Sequence, residues 1–209
     1  MPTRIIHHGD GPTWLRDNPL PPDCALVTSL PDHTELTLGV PGWRGWFLDV
    51  AELCCRSVAD DAIAMFYQTD CKHEGTWIDK GYLVARAAES AGCQTLFHKI
   101  VCRVPPGQIS FGRPAYTHLL GFSRKLRLLP GQSTADVLPQ RGEMTWSRAM
   151  GSEACDAVAR FLVRFTPCRT VVDPCCGLGS MLAAANRAGL DAIGVERSAK
   201  RVEKARALV

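Results

Sequence analysis

The 209-residue sequence predicts an α/β fold, a mostly parallel sheet wrapped by helices. Three observations predict it. Seven short apolar runs have strand length, and several are near-continuous in hydrophobicity, as strands buried on both faces are. Segments of helical period lie between most of them. One connection is different: the stretch from Cys102 to Ala115 holds Pro105, Pro106 and Pro114, which rule out a crossover helix. The strands on either side of it therefore form an antiparallel hairpin. All seven strands are parallel except one hairpin partner.

In chain order, residues 4–8 are the first strand and 24–28 the second. Residues 47–58 form an amphipathic helix through Leu48, Val50, Ala51, Leu53, Cys54 and Val58. A strand at 62–68 and a helix at 82–91 lead to the hairpin strands, 95–101 and 116–122. The polar segment 129–145 reads as a linker. Helix 153–165, strand 170–173, helix 180–188, strand 191–196 and helix 199–208 complete the chain. The length suits one domain, 1–209, with halves 1–128 and 146–209 joined by that linker.

Composition narrows the setting. The chain is 46% hydrophobic, enough for a sizeable core. No apolar run approaches the ~18 residues of a membrane span, so no membrane association is expected. Met1-Pro2-Thr3-Arg4 leads into only two apolar residues before His7 and His8, which is no signal peptide. The ten cysteines include two adjacent pairs, Cys54-Cys55 and Cys175-Cys176, and no C-x-x-C. That pattern fits neither a disulfide scaffold nor a zinc site, so reduced thiols, no metal and a cytoplasmic protein are expected. The net charge of +3 is unevenly spread. Between residues 90 and 135, Lys99, Arg103, Arg113, Arg124, Lys125 and Arg127 occur with no acid, a stretch able to track phosphates.

The sharpest local signal is Val171-Val172-Asp173-Pro174-Cys175-Cys176-Gly177-Leu178-Gly179-Ser180. A strand ends in an acid, a Gly-x-Gly turn follows and a helix begins, so the backbone can pass close beneath a ligand. Glu196 ends the next strand about 20 residues on, where an acid holds a ribose diol. A dinucleotide fingerprint would need a third glycine, and Leu182 stands there. Asp173 also disfavours a phosphate and suits a cationic ligand with an amino-acid tail, such as S-adenosyl-L-methionine.

Asp173-Pro174-x-x-Gly177-x-Gly179-Ser180 resembles the first motif of the amino-methyltransferases that modify nucleic-acid bases. The resemblance implies the Rossmann-like class I methyltransferase fold, with S-adenosyl-L-methionine as cofactor. Cys175 stands where that family commonly has an aromatic residue. The motif order implied is circularly permuted and beta-class-like, because the chain stops where a third strand should follow. That strand is found at 4–8, ending in Gly9-Asp10, and Asp10 would accept from the adenine amino group of the cofactor. The strand at 24–28 runs into Ser29-Leu30-Pro31-Asp32, at the place of the family's catalytic tetrapeptide. Ser29 and Pro31 fit it; Asp32 replaces the aromatic that stacks on the flipped base. Ser147, ahead of the helix at 153, would meet the cofactor carboxylate with the helix N-terminus.

The chemistry implied is methyl transfer to a base nitrogen, with the Ser29 side chain and the Leu30 carbonyl as acceptors for the amine N–H groups. Asp32 would accept from a guanine edge or act as a base, or merely cap a turn. DNA enzymes of this order usually insert a sizeable recognition region, and residues 129–145 offer little room for one. RNA, a tRNA or rRNA, is therefore the expected partner, making the chain an RNA-modification and tRNA-processing enzyme. The six cations would carry phosphates, and Phe111, Tyr116 and Trp43 or Trp46 would stack on bases. A DNA adenine-N6 or cytosine-N4 methyltransferase, a small-molecule or protein methyltransferase and a non-catalytic RNA- or partner-binding subunit stay open as alternatives.

Overall fold

The computed structural model describes residues 1–208. In chain order the elements are β1 (Arg4–His8), α1 (Gly11–Asp17), β2 (Cys24–Thr28), α2 (Gly39–Ser57), β3 (Ala64–Gln68), β4 (Cys71–His73), β5 (Thr76–Ile78), α3 (Lys80–Ser90), β6 (Gln94–Cys102), β7 (Tyr116–Ser123), β8 (Val137–Leu138), α4 (Ser152–Phe165), β9 (Thr170–Asp173), α5 (Ser180–Arg187), β10 (Asp191–Glu196) and α6 (Ala199–Ala207). A one-turn 3-10 helix, His33–Glu35, follows β2.

The main sheet has the order β1-β10-β9-β2-β3-β7-β6-β8. The expected α/β class holds, and of the seven expected strands only β7 runs antiparallel to its neighbours. The central strands β2 and β3 are buried at every residue. One core lies between the sheet and α4, α5 and α6, the other between the sheet and α1, α2 and α3. Alternation sorts β2 between them: Ala25 and Val27 face the first core, Leu26 the second.

Three departures from the sequence reading have physical causes. Helix α2 starts at Gly39, well before residue 47. Pro41 lies in its first turn, where a helix needs no N–H donor, and the buried stripe extends back through Phe47 to Trp43. Residues 71–78 form a small hairpin around Glu74 and Gly75, both with positive φ (48° and 78°). Glu is an uncommon residue for such a turn, so the usual Asn-Gly signal was missing. The segment 129–145 is not wholly a linker: β8 adds a parallel strand beside β6, with Ile100 N donating to the Asp136 carbonyl at 2.8 Å.

No helix among the described residues is long and apolar enough to cross a membrane. All ten cysteines are free. Gln68, at the end of β3, is fully buried and neither atom of its amide finds a partner. An unmet buried amide costs about 1–3 kcal/mol, so Gln68→Met is expected to raise Tm by several degrees in a thermal melt. An unchanged or lower Tm would show that the amide is satisfied.

Candidate active site

Functional side chains converge at the carboxyl ends of the parallel strands. Sheet order reverses between β9 and β2: from β9 the chain moves outward to β10, with β1 beyond it, and from β2 it moves outward the other way to β3. A crevice opens at such a switch point. Thr28 Oγ1, ending β2, donates to Asp173 Oδ1, ending β9, at 2.7 Å across it.

A cleft of ≈ 780 Å³ lies there. It is lined by Asp10, Ser29, Leu30, Pro31, Asp173, Pro174, Gly177, Ser180 and Glu196. Six of the eight residues expected to hold the cofactor, and three of the expected tetrapeptide, are thus brought together from four strand ends. Gly177 and Gly179 have φ of 56° and 81°, the left-handed region the loop needs. Gly179 does not line the cleft; it caps α5. Gly11 lets α1 press on the loop, since a Cβ there would collide with the Pro174 carbonyl.

Acids from three strand ends, Asp10, Asp173 and Glu196, line the cleft. Asp173 is buried, and burial pushes its carboxyl up to about 7, although bonds from Thr28 Oγ1 and from Cys175 N (3.0 Å) favour the ionised form. Both bonds fall on Oδ1, leaving Oδ2 uncommitted. Glu196 accepts from Ser198 N at 2.7 Å through Oε1. Asp10 caps α1, its Oδ2 accepting from Thr13 N at 3.2 Å and Thr13 Oγ1 at 2.8 Å.

A second, smaller cleft adjoins the first. Ser29 and Leu30 line both, as do Glu35 and Arg148, which form an ion pair at 2.8 Å. Tyr67, Thr69 and Thr117 add hydroxyls, and Lys80, Arg103, Arg113 and Arg141 add charge.

Asp32 lies in this second cleft, but not as a free carboxylate. It is buried, paired with Lys80 Nζ and with Arg113 Nη2 at 3.3 Å. Each of its oxygens faces a cation, so beside the guanine-reading, basic and turn-capping roles expected of it the side chain ties this loop to Lys80 and Arg113. Asp32 N donates to Glu35 Oε1 at 3.0 Å, and Trp43 Nε1 donates to the Pro31 carbonyl at 3.0 Å. These contacts fix Ser29-Leu30-Pro31 in place. Removing one partner of a buried pair typically costs about 3–5 kcal/mol. With Arg113 left to share the charge, Lys80→Met is expected to cost about 3 kcal/mol in urea unfolding; an unchanged midpoint would contradict this.

Other expectations divide. Ser147, expected to meet the cofactor carboxylate, lines the second cleft and not the first. Ser180 instead shares a 2.8 Å hydroxyl contact with Thr145. Of the six cations, only Arg103 and Arg113 reach the site. Lys99 is buried and bonded to Asp136 and the Thr134 carbonyl, both at 2.9 Å. Arg124 binds Asp60 at 2.6 Å and the carbonyls of Cys55 and Val58, and Lys125 binds Asp60 at 2.8 Å. Arg127 donates to the carbonyls of Leu126 and Arg124. Because β7 is antiparallel, Arg124, Lys125 and Arg127 emerge at the amino ends of the parallel strands, opposite the clefts. Trp43 is core, Trp46 lines the first cleft, and Tyr116 meets His118 edge-on. Phe111 is 90% exposed on the β6–β7 loop.

Sequence reasoning missed Trp146, which lines the first cleft with Arg201 over its ring at 4.5 Å. It also missed Arg141, Arg148, Glu35 and Lys80. Trp146 adjoins Ser147, which the sequence assigned to the cofactor, a signal that could have found it.

By sequence the chain matches no family model and no curated protein. By structure it is similar to a protein from Thermus thermophilus, assigned as a DNA modification methylase and complexed with S-adenosyl-L-methionine: TM-score 0.74, 19% identity, 98% of this chain and 93% of that one. The fold is that of the class I methyltransferases. M1.HpyAVI in complex with the same cofactor superimposes with TM-score 0.66 at 14% identity over 98% of each chain. PvuII DNA methyltransferase, cytosine-N4-specific, gives 0.72 at 15% identity over 99% of this chain and 87% of that one. This methyltransferase fold places the two clefts at the switch point of its sheet.

Proposed function

We propose that the protein is an S-adenosylmethionine-dependent methyltransferase acting on an exocyclic amino group of a base in DNA, with a circularly permuted motif order. The observation that carries this reading is that Ser29 and Leu30 line both clefts. A group in the second cleft would face them across the wall of the first, so the first is the cofactor cleft and the second the acceptor cleft.

The residues present fit the cofactor. Asp173, buried with Oδ2 uncommitted, suits an ammonium group. Glu196, with one oxygen on Ser198 N, has the other for a ribose diol. Asp10 sits at the rim to accept from the adenine amino group, and Gly177 leaves space beneath the ligand. When bound, the cofactor supplies an electrophilic methyl group on a sulfonium. The acceptor is a weak nucleophile because its lone pair is delocalised into the ring. Ser29 Oγ and the Leu30 carbonyl would accept its two N–H groups and orient the lone pair. Because the loop is already fixed by Trp43, Glu35 and Lys80, little reorganisation remains at the moment of reaction.

The substrate expected from sequence, RNA, gives way to DNA. The RNA reading rested on the lack of a large recognition region. Yet this chain spans 93% of the assigned DNA modification methylase and 87% of the cytosine-N4-specific DNA enzyme, so proteins not much larger carry those names. The permuted order is supported by β1, which lies outside β10, beyond β9.

The test has two arms. Calorimetry is expected to show S-adenosylmethionine binding, and labelled methyl should pass to DNA in excess over RNA. Binding with label in RNA alone would restore the RNA reading. Binding without transfer to any nucleic acid would favour the non-catalytic subunit.

A further inference from the structure

The acceptor cleft carries five cations against two acids, Asp32 and Glu35. The acids are already committed: Lys80 and Arg113 hold Asp32, and Arg148 holds Glu35. That leaves Arg103 and Arg141, neither within an ion pair among the described residues. Arg103 donates only weakly, to the Pro114 carbonyl at 3.3 Å. Arg141 accepts through its backbone carbonyl from Ala154 N at 3.2 Å, and its guanidinium has no hydrogen-bond or ion-pair partner among the described residues.

These two arginines come from separate segments, the end of β6 and the connection from β8 to α4. They meet in the lining of one cleft, where burial and the nearby Arg141 and Arg113 hold Arg103 below the ordinary arginine range. Like charges half-buried side by side are unfavourable unless an anion joins them. Both also line a groove of ≈ 620 Å³ leading away from the acceptor cleft. They therefore stand at the boundary between the cleft that would take a base and a groove that opens outward.

We propose that Arg103 and Arg141 form a phosphodiester-binding site at the mouth of the acceptor cleft, holding the backbone phosphate that flanks the base being methylated. The proposal rests on the base-methyltransferase reading. A guanidinium presents a planar fork that matches two phosphate oxygens, and two forks from different segments enclose one phosphate. A phosphate fixed there orients the strand, so the base enters towards Ser29 and the backbone leaves along the groove. Phosphate contacts of this kind set register without reading sequence.

The experiment uses the full chain saturated with S-adenosylhomocysteine. A fluorescein-labelled single-stranded oligodeoxynucleotide is titrated over a series of NaCl concentrations, and inorganic phosphate is titrated separately. Wild type, Arg103→Gln, Arg141→Gln and the double variant are compared, with Arg103→Lys as the conservative change. Each glutamine variant is expected to lose about tenfold in oligonucleotide affinity and to lower the salt slope by about 0.7. The lysine variant should keep the slope while losing part of the affinity, because it retains charge but not the fork. Cofactor binding should stay at the wild-type value, since neither arginine lines the cofactor cleft, and this also reports correct folding. A double variant with wild-type slope and affinity on DNA that is still methylated would overturn the phosphate site and leave the base reading intact. Phosphate bound by the wild type and not by the double variant, with no nucleic acid methylated, would support the anion site and remove the base reading.

Discussion

Asp173→Asn is expected to weaken S-adenosylmethionine binding at pH 8 by about 100-fold or more, because it leaves a buried ammonium without its counter-charge. The wild type should also show a pH dependence that the variant lacks. Burial holds the Asp173 carboxyl at about 7, whereas in the unfolded chain it ionises near 3.9. Below pH 7 the folded, ligand-free protein keeps this proton, so cofactor binding must expel it. Affinity should fall as pH drops below about 7. Stability without cofactor has the opposite slope. Between about pH 4 and 7 the folded state binds one more proton than the unfolded state, so stability falls as pH rises through that window, by on the order of 4 kcal/mol in total. Above about 7 the loss from this group is complete. Glu196 contributes to holding the proton on, whereas Thr28 and Cys175 oppose it through their bonds to Oδ1. Calorimetry from pH 5.5 to 8.5 on both proteins checks the affinity. Equal, flat profiles would show that Asp173 carries no charge-dependent contact with the cofactor.

Ser29→Ala is expected to lower kcat by about 100- to 1,000-fold, as losing one positioned hydrogen-bonding group in a transition state does. Cofactor affinity should hardly change, because Ser29 only borders that cleft. A merely structural Ser29 would instead lower stability or both affinities with little effect on kcat. Single-turnover rates on saturating DNA separate the two, and a variant with full kcat would remove Ser29 from the chemistry.

How far the sequence was legible followed how local each signal was. The strands, the Asp173–Ser180 loop and the position of Glu196 depend on residues close together in the chain, and the structure places them as expected. Asp10 lies two residues beyond β1 and caps α1, so its place at the cleft also follows from local sequence. The role of Asp32 depends on Lys80 and Arg113, which lie 48 and 81 residues away, and no local pattern announces them. The basic stretch misled for a geometric reason. Lys99 to Arg127 spans a hairpin whose loop and open end lie at opposite ends of the strands, so only the cations near its loop reach the clefts. Arg141 was hidden in a segment read as linker, and β8 brings that segment beside β6. The expectation of RNA was drawn mainly from the little room that residues 129–145 leave for a recognition region, and the similar solved structures, which are named as DNA enzymes, favour the DNA alternative.

The claim at the centre of this account is methylation of an exocyclic base amine in DNA, and mass spectrometry of nucleosides from treated DNA tests it most directly. After incubation with S-adenosylmethionine, N4-methylcytosine or N6-methyladenine is expected with wild type and should be nearly absent with Ser29→Ala. A methyl group on a ring carbon, or no modified deoxynucleoside while RNA or protein takes the label, would contradict it.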